Sequence, residues 1–325
     1  MAKILLVGGA GYIGSHMTLQ LLNAGHDVVV LDKQDASHLT AIAAAHRVQG
    51  DLGDAALLDY LFTEHAFDAV MHFAAYIEVG ESVQKPGKYY HNNVANTLVL
   101  LDAMVKHNVK TFIFSSTAAT FGEPQYTPID EQHPQLPVNP YGRSKLMVEH
   151  ILKDYDHAYG LKSVCLRYFN AAGAEPQARL GECHDPETHL IPLILQAAAG
   201  TRPDIKVFGR DYDTPDGTCV RDYIHVEDLC SAHALALGKL LKGGDSAQYN
   251  LGNGQGFSVQ QVIDVVREVT GIEFTVVDAE RRAGDPAVLV ADSTAAQRDL
   301  AWSPKYPSLQ DIVTHAWNFM KVQSQ

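Results

Sequence analysis

The stretch GGAGYIG at positions 8–14 constrains this chain more than any other. It directly follows the apolar run KILLVG and opens YIGSHMTLQLLNAG, whose apolar residues recur with a helical period. Strand, glycine turn and helix in that order begin a βαβ unit. There, glycines allow a tight turn and a close approach of backbone to a diphosphate, while the helix N-terminus stabilises the negative charge. Both Gly9-x-Gly11-x-x-Gly14 and Gly8-x-x-Gly11-x-x-Gly14 are present. Gly8, Gly11 and Gly14, with Tyr12 and Ile13 between them, are therefore the expected contacts of a dinucleotide.

The same alternation continues. HDVVVLD (26–32), HRVQGD (46–51), DAVMHFAA (68–75), KTFIFSS (110–116) and KSVCLRYF (162–169) are short β-branched runs separated by helical patterns. Right-handed βαβ units, and hence a parallel, doubly wound α/β sheet of Rossmann type, follow. After Asn170 come long Gly/Pro/Asp-rich stretches around short elements, the mark of a smaller α/β lobe. Regularity returns in VRDYIHVEDLCSAHALALGKLL and AQYNLG. The expected division is residues 1–172 plus 220–252 for the dinucleotide domain and 173–219 plus 253–325 for the lobe.

A net charge of −13 without any run of Lys or Arg excludes a nucleic-acid footprint, so anionic ligands must be held by local groups. The N-terminal apolar stretch is too short for a signal-peptide core, and no 18-residue apolar segment offers a membrane span. The four cysteines lack Cys-x-x-Cys spacing, and a reduced, cytoplasmic protein is expected. The 16 His include no His-Glu-x-x-His. Cys183, His184 and His189 read as loop residues, and no metal is expected.

Asp32 closes the second strand 18 residues after Gly14, where a carboxylate accepts hydrogen bonds from ribose hydroxyls and repels a 2′-phosphate. NAD is favoured over NADP, although Lys33 next to it offers a partner for a phosphate. Asp51 and Leu52 after the third strand, and Phe73, Ala74 and Ala75 after the fourth, occupy carboxyl ends of parallel strands, where such sheets bind ligands.

NPYGRSK (139–145) sets Tyr141 and Lys145 four residues apart. With 14 Tyr and 14 Lys in 325 residues, about 0.6 such pairs arise by chance, so the spacing gains meaning only from its surroundings. Asn139 is a good N-cap and Pro140 suits the first helical position, which puts Tyr141 in the first turn, Lys145 one turn on along the same face, and Arg143 about 200° round. A tyrosine base at neutral pH needs its pKa lowered by roughly 3 units, about 4 kcal/mol. Lys145, the helix dipole and a positive nicotinamide ring together suffice in a desolvated cleft. Glu149 reads as an exposed helix pair to Lys145. At the end of the fifth strand, Ser115, Ser116 and Thr117 supply hydroxyls, and Thr117 is the one expected to bridge substrate and Tyr141.

The glycine loop, Asp32, SSTAATFG and YGRSK together resemble the extended short-chain dehydrogenase/reductase superfamily. ESVQKPGKYYHNNVANT, LRYFNAAGA, DGTCVRDYIHVEDL, YNLGNGQGFSV and RRAGDPAVLVAD are similar to the UDP-glucose 4-epimerase family almost end to end. The resemblance implies tightly held NAD that takes hydride from C4 of a hexose while Tyr141 takes the 4-hydroxyl proton, then rotation of the 4-keto sugar and re-reduction. It implies that Asn92, Ser115 and Tyr168 join the NAD site. It also implies UDP-glucose and UDP-galactose as substrates, with Asn93, Phe169, Asn170, His189, Leu190, Lys206, Val207, Phe208, Arg221, Tyr223, Tyr249, Arg282, Asp285 and Leu289 as contacts. Arg221 and Arg282 suit a diphosphate because a guanidinium binds phosphate oxygens bidentately. The segments 91–107 and 141–158 resemble the family's dimer-forming helices, which implies a homodimer.

This chain departs from the commonest family pattern at Asp32-Lys33-Gln34 and at His189-Leu190. A bulky residue at Leu289 is associated with plain hexoses, and a small one with N-acetylated sugars. The rival reading is a nucleotide-sugar dehydratase or decarboxylase of the same superfamily. Those enzymes carry acidic residues after the active-site Thr, where this chain has Ala118 and Ala119. A dinucleotide sensor without activity would be expected to have lost Tyr141 or Lys145.

Overall fold

The apolar runs become strands because both their faces are covered by helices. The computed structural model describes residues 1–36, 39–282 and 284–323. Its first half runs β1 (Lys3–Val7), α1 (Tyr12–Asn23), β2 (Asp27–Asp32), β3 (His46–Gln49), α2 (Ala55–Glu64), β4 (Ala69–His72), α3 (Val79–Gln84), α4 (Pro86–Tyr90), α5 (Asn96–Lys106), β5 (Thr111–Thr117), α6 (Pro140–Tyr159) and β6 (Lys162–Tyr168). Then follow β7 (Asn170–Ala172), α7 (Leu190–Ala198), β8 (Ile205–Phe208), β9 (Val220–Arg221), β10 (Tyr223–His225), α8 (Val226–Leu241) and β11 (Ala247–Leu251). The chain closes with β12 (Phe257–Ser258), α9 (Val259–Thr270), β13 (Val276–Ala279), β14 (Val288–Leu289), α10 (Thr294–Leu300) and α11 (Leu309–Gln323).

Seven parallel strands form one sheet in the order β11-β6-β5-β4-β1-β2-β3. This is the doubly wound sheet that the sequence predicts. The order in which strands are added reverses between β1 and β4, and the carboxyl ends of β1, β2, β4, β5 and β6 open along one edge, where such sheets hold ligands. One core, including Ile4, Leu6, Met71, Leu166, Leu229 and Leu237, lies between the sheet and helices α1 and α8. The other, including Leu5, Val70, Leu100, Phe112, Phe114 and Val148, lies under α2, α5 and α6.

The later segments build a lobe around β8-β13 and β12-β9-β14, with a core of Ile194, Ile205, Val262, Ile263, Ile312 and Val313. The domain assignment needs one correction. Ala296, Leu300 and Trp302 pack in the α1/α8 core of the larger domain, so α10 lies against that domain and not in the lobe. Trp302 Nε1 donates to the carbonyl of Asp228 at the start of α8, which fixes this return.

The helix expected near 91–107 is continuous from α4 into α5, but it widens to a π-type turn at His91–Ala95. Such a bulge turns side chains out of helical register and is common at functional sites. Here it carries Asn92 and Asn93. Among the described residues, no helix is long and apolar enough to cross a membrane.

Candidate active site

The glycine loop assembles as its sequence demands. Gly8 has φ +89°, and a Cβ there would sit 2.4 Å from Ala74 N; a Cβ on Gly14 would sit 2.0 Å from Gly8 O. Those two glycines are required by the protein itself. Gly11 is different: a Cβ would meet nothing nearer than Gly8 O at 3.6 Å. Its glycine is explained by a ligand that approaches the backbone. Gly11 is also the N-cap of α1, with no side-chain cap and no acidic residue in the first turn. The N–H groups of Tyr12, Ile13 and Gly14 are therefore unspent donors at the positive end of a helix.

Asp32 stands where the sequence puts it. Oδ2 accepts from Ala10 N at 2.9 Å and Oδ1 from Gln34 N at 2.9 Å, so the carboxylate is held against the glycine loop with a free lone pair on each oxygen. Lys33 turns to Tyr76, with Nζ 2.9 Å from its hydroxyl and 4.4 Å from the ring centre. These residues fit an adenosine diphosphate with free ribose hydroxyls. Phe73 and Ala74 both donate backbone N–H to Val7 O beside the loop. Asp51 accepts from Gly53 N and Asn96 Nδ2. Leu52 is buried in the core beneath α2, which takes its side chain away from any ligand.

Tyr141 is set by local chemistry and one close approach. Asn139 Oδ1 caps Gly142 N at 2.8 Å, and Pro140 occupies the first turn of α6. A Cβ on Gly142 would sit 2.3 Å from Ala119 O, so only glycine lets the start of α6 touch the turn after β5. That contact brings Tyr141 next to Thr117, close enough for the Thr117 side chain to favour the ionised phenol. Thr117 is itself fixed by Ala119 N donating to its Oγ1 at 3.1 Å. Burial pushes the Tyr141 hydroxyl up to about 12, and the neighbouring Thr117 side chain opposes that rise. The expected lowering of this pKa is thus not a property of the chain alone.

Lys145 is buried, and its Nζ donates to Ser115 O at 2.8 Å and lies 4.8 Å from the Phe114 ring. Burial lowers its ammonium to about 7, against a smaller pull upward from Glu149. Glu149 requires a correction. It is 1% exposed, not an exposed helix pair. It receives Arg167 Nε at 3.0 Å and Nη2 at 2.6 Å, Ser116 Oγ at 2.6 Å and Gln135 Nε2 at 3.2 Å. Burial raises its pKa, but Arg167 outweighs this and holds the carboxyl below its usual range. Sequence reasoning missed this pair because Arg167 lies on β6, 18 residues away.

Ser115 Oγ bonds Tyr168 OH at 2.8 Å, joining the ends of β5 and β6. Asn93 Nδ2 donates to Tyr76 O at 3.0 Å and Ser144 Oγ at 3.1 Å, and Asn93 Oδ1 accepts from Tyr76 N and Asn92 Nδ2. Asn92 and Asn93 thereby lash the π-type turn to the helix that carries Tyr141.

The lobe residues divide. Asn170 Nδ2 donates to Asp222 O at 2.9 Å, next to half-buried Phe169. Arg221, at the start of the Arg-Asp-Tyr segment, pairs with Asp285 and donates to Val220 O. Arg282 stacks 3.9 Å over the Phe208 ring, and Leu289 pairs in register with Arg221. His189 occupies the N-cap position of α7 without a side-chain cap bond and precedes half-buried Leu190. Three of the expected contacts have side chains in cores. Val207 and Tyr223 are buried in the lobe core, and Tyr249 sits mid-strand in the α1/α8 core with its hydroxyl held by Lys239 Nζ at 2.7 Å. Lys206 is exposed on β8.

The loop histidines are not independent. Glu182, His184, Glu187 and His189 each offer one donor atom, and these all lie within 4.8 Å of one another. Glu182 and Glu187 raise His184 to about 9; burial opposes the same pull on His189, which still reaches about 10.

Comparison with known proteins agrees with this geometry. Residues 4–252 match the model of the NAD dependent epimerase/dehydratase family. A UDP-glucose 4-epimerase of Halalkalibacterium halodurans is 54% identical over 318 residues, 98% of this chain and 95% of that one. The crystal structure of UDP-glucose 4-epimerase from Brucella ovis in complex with NAD is 47% identical, with a TM-score of 0.94 over 98% of each chain. That of the Bifidobacterium longum enzyme, in complex with NAD+ and UDP, is 39% identical, with a TM-score of 0.92 over 99% of each chain. The match over most of its length and the identity to these relatives show that the chain belongs to the NAD dependent epimerase/dehydratase family, in its UDP-glucose 4-epimerase group.

Proposed function

We propose that this protein interconverts UDP-galactose and UDP-glucose with NAD held in its glycine-loop cleft. The observation that carries the reading is the placement of Tyr141, at the start of α6, against Thr117 at the carboxyl end of β5, one helical turn from buried Lys145. When bound, NAD supplies a hydride acceptor, later donor, at C4 and a positive charge that counters the burial of the phenol. Tyr141 Oη takes the proton of the hexose 4-hydroxyl and returns it on re-reduction. Thr117 Oγ1 holds the same oxygen in line with Tyr141. Lys145 Nζ, held by Ser115 O, keeps two donors for ribose hydroxyls and for the phenolate. One acid/base serves both halves of the cycle, so no second catalytic acid is needed.

Arg221 and Arg282 are the diphosphate partners in this reading, and a pyrophosphate competes with Asp285 for Arg221. Asn170, Phe169, Leu190 and Phe208 line the remainder, and Leu289 favours the plain hexoses over N-acetylated ones. Ala118 and Ala119 after Thr117 weigh against dehydration or decarboxylation. We also infer a cytoplasmic homodimer: the described cysteines are all free, and Val79, Val83 and Met147 leave apolar side chains exposed on α3 and α6, which pack together.

The decisive experiment mixes purified protein with UDP-galactose, without added cofactor, and follows UDP-glucose. Turnover supports the reading; its absence, with the NAD site occupied, refutes it. Sedimentation at micromolar concentration separately tests the dimer, and a monomer there is the adverse result.

A further inference from the structure

We propose that Glu182, His184, Glu187 and His189 form a binding site for a divalent transition metal ion, zinc in the first instance. All four donors come from the eight residues ECHDPETH that lead into α7. Two imidazole nitrogens and two carboxylates make a donor set suited to zinc or cobalt, and softer or purely oxygen-loving ions fit it less well.

The geometry is that of convergence on a point. His189 Nδ1 lies 2.7 Å from Glu182 Oε1 and 3.2 Å from Glu187 Oε1; His184 Nδ1 lies 3.1 Å from Glu182 Oε1 and 3.8 Å from Glu187 Oε2. A tetrahedral ion with bonds of about 2.0–2.1 Å holds its donor atoms about 3.3 Å apart, within that range. His184 Nδ1 is shielded from solvent and makes no hydrogen bond, although a carboxylate oxygen is within 3.1 Å.

The surroundings also resemble a supported metal site. The two carboxylates are 6% exposed, whereas the imidazoles are 31% and 40% exposed, so the anionic donors form a floor and the histidines face the entry side. Glu187 Oε1 accepts the backbone N–H groups of Thr188 at 2.7 Å and His189 at 2.8 Å, and Thr188 Oγ1 donates to Glu78 Oε1 at 3.0 Å. Outer contacts of this kind orient ligands. Cys183 is exposed and takes no part in the cluster. An ion here ties down the segment that sets His189 and Leu190 at the start of α7. It revises the expectation of no metal, because ligand spacing along the chain does not reveal which loop donors a fold brings together.

The test uses full-length, tag-free protein, stripped with a chelator and titrated with Zn2+ by calorimetry and with Co2+ by visible absorption. The expected result is one equivalent per chain, Co2+ bands of tetrahedral intensity, and at least a tenfold weaker Zn2+ affinity in Glu182→Gln and in His184→Gln. The exposed-site variant His150→Gln retains wild-type affinity. Two results overturn the proposal: wild-type protein that takes up no more Zn2+ than the double variant His184→Gln/His189→Gln, or uptake that persists in that variant. The wild-type titration decides the matter even if a variant folds poorly.

Discussion

Lys145 Nζ donates to the main-chain oxygen of Ser115 at 2.8 Å, and not to Glu149 one turn further along its own helix. That single bond fastens α6 to the carboxyl end of β5, the strand that also ends in Thr117. Glu149 instead pairs with Arg167 of β6, so two charged contacts of one helix grip two neighbouring strands.

The first prediction concerns the base. Tyr141→Phe removes the only proton acceptor that Thr117 supports and leaves the glycine loop intact. The variant should retain NAD and lose at least 100-fold in kcat, in line with the usual worth of general acid-base catalysis. Turnover within tenfold of wild type would assign the base elsewhere.

Glu149→Gln leaves Arg167 as a buried, unpaired cation. Breaking such a pair costs about 3–5 kcal/mol. Thermal or urea unfolding should register that loss, whereas Glu149→Gln in an exposed i,i+4 pair would change stability by about 0.5 kcal/mol or less. An unchanged midpoint would mean that the ion pair contributes nothing.

Lys145 adds its own contribution to the pH dependence of the NAD-free protein. Its folded pKa, about 7, lies below the unfolded value near 10.4, so between these limits the unfolded chain binds more protons and stability rises with pH. Below about pH 7 both states are charged and the full burial cost is felt. Above about pH 10, ionisation of Tyr141 in the unfolded state, which the buried phenol resists, reverses the trend. His184 and His189, held up to about 9 and about 10, impose the opposite slope on wild type and variant alike, so the Lys145 contribution is read from the difference: the stability gained by Lys145→Met should shrink steadily from pH 7 to 10, and a constant difference would contradict the assignment.

The glycines should separate fold from binding. Gly11→Ala has room for its methyl group and should unfold within a few degrees of wild type while binding NAD at least tenfold more weakly. Gly14→Ala collides with Gly8 O and should be strongly destabilised. Calorimetric titration and melting curves of the two variants test this, and equal NAD affinity in Gly11→Ala would leave that glycine without a reason.

Much of the site was legible in local order. KILLVGGAGYIG announces its strand, turn and helix because period and glycine spacing act over a dozen residues. The NPYG start of α6 is equally local, since a cap and a first-turn proline need no distant partner. Thr117 could be named as a candidate because carboxyl ends of parallel strands are adjacent by construction. Glu149 was misread for the opposite reason: its partner lies on another strand. Tyr249, Tyr223 and Val207 take their expected roles from the family resemblance alone, and folding places their side chains within cores.

The sequence by itself therefore determined the doubly wound sheet, the dinucleotide loop and the Tyr-Lys helix, since each is encoded by short-range periodicity and capping. Tertiary structure alone decided which charges meet. It buried Lys145 against a carbonyl, paired Glu149 with Arg167, returned α10 to the larger domain and drew Glu182, His184, Glu187 and His189 around one point. Charge pairing and pKa depend on burial and on groups that folding brings close from different elements, and no local pattern in the chain records that proximity.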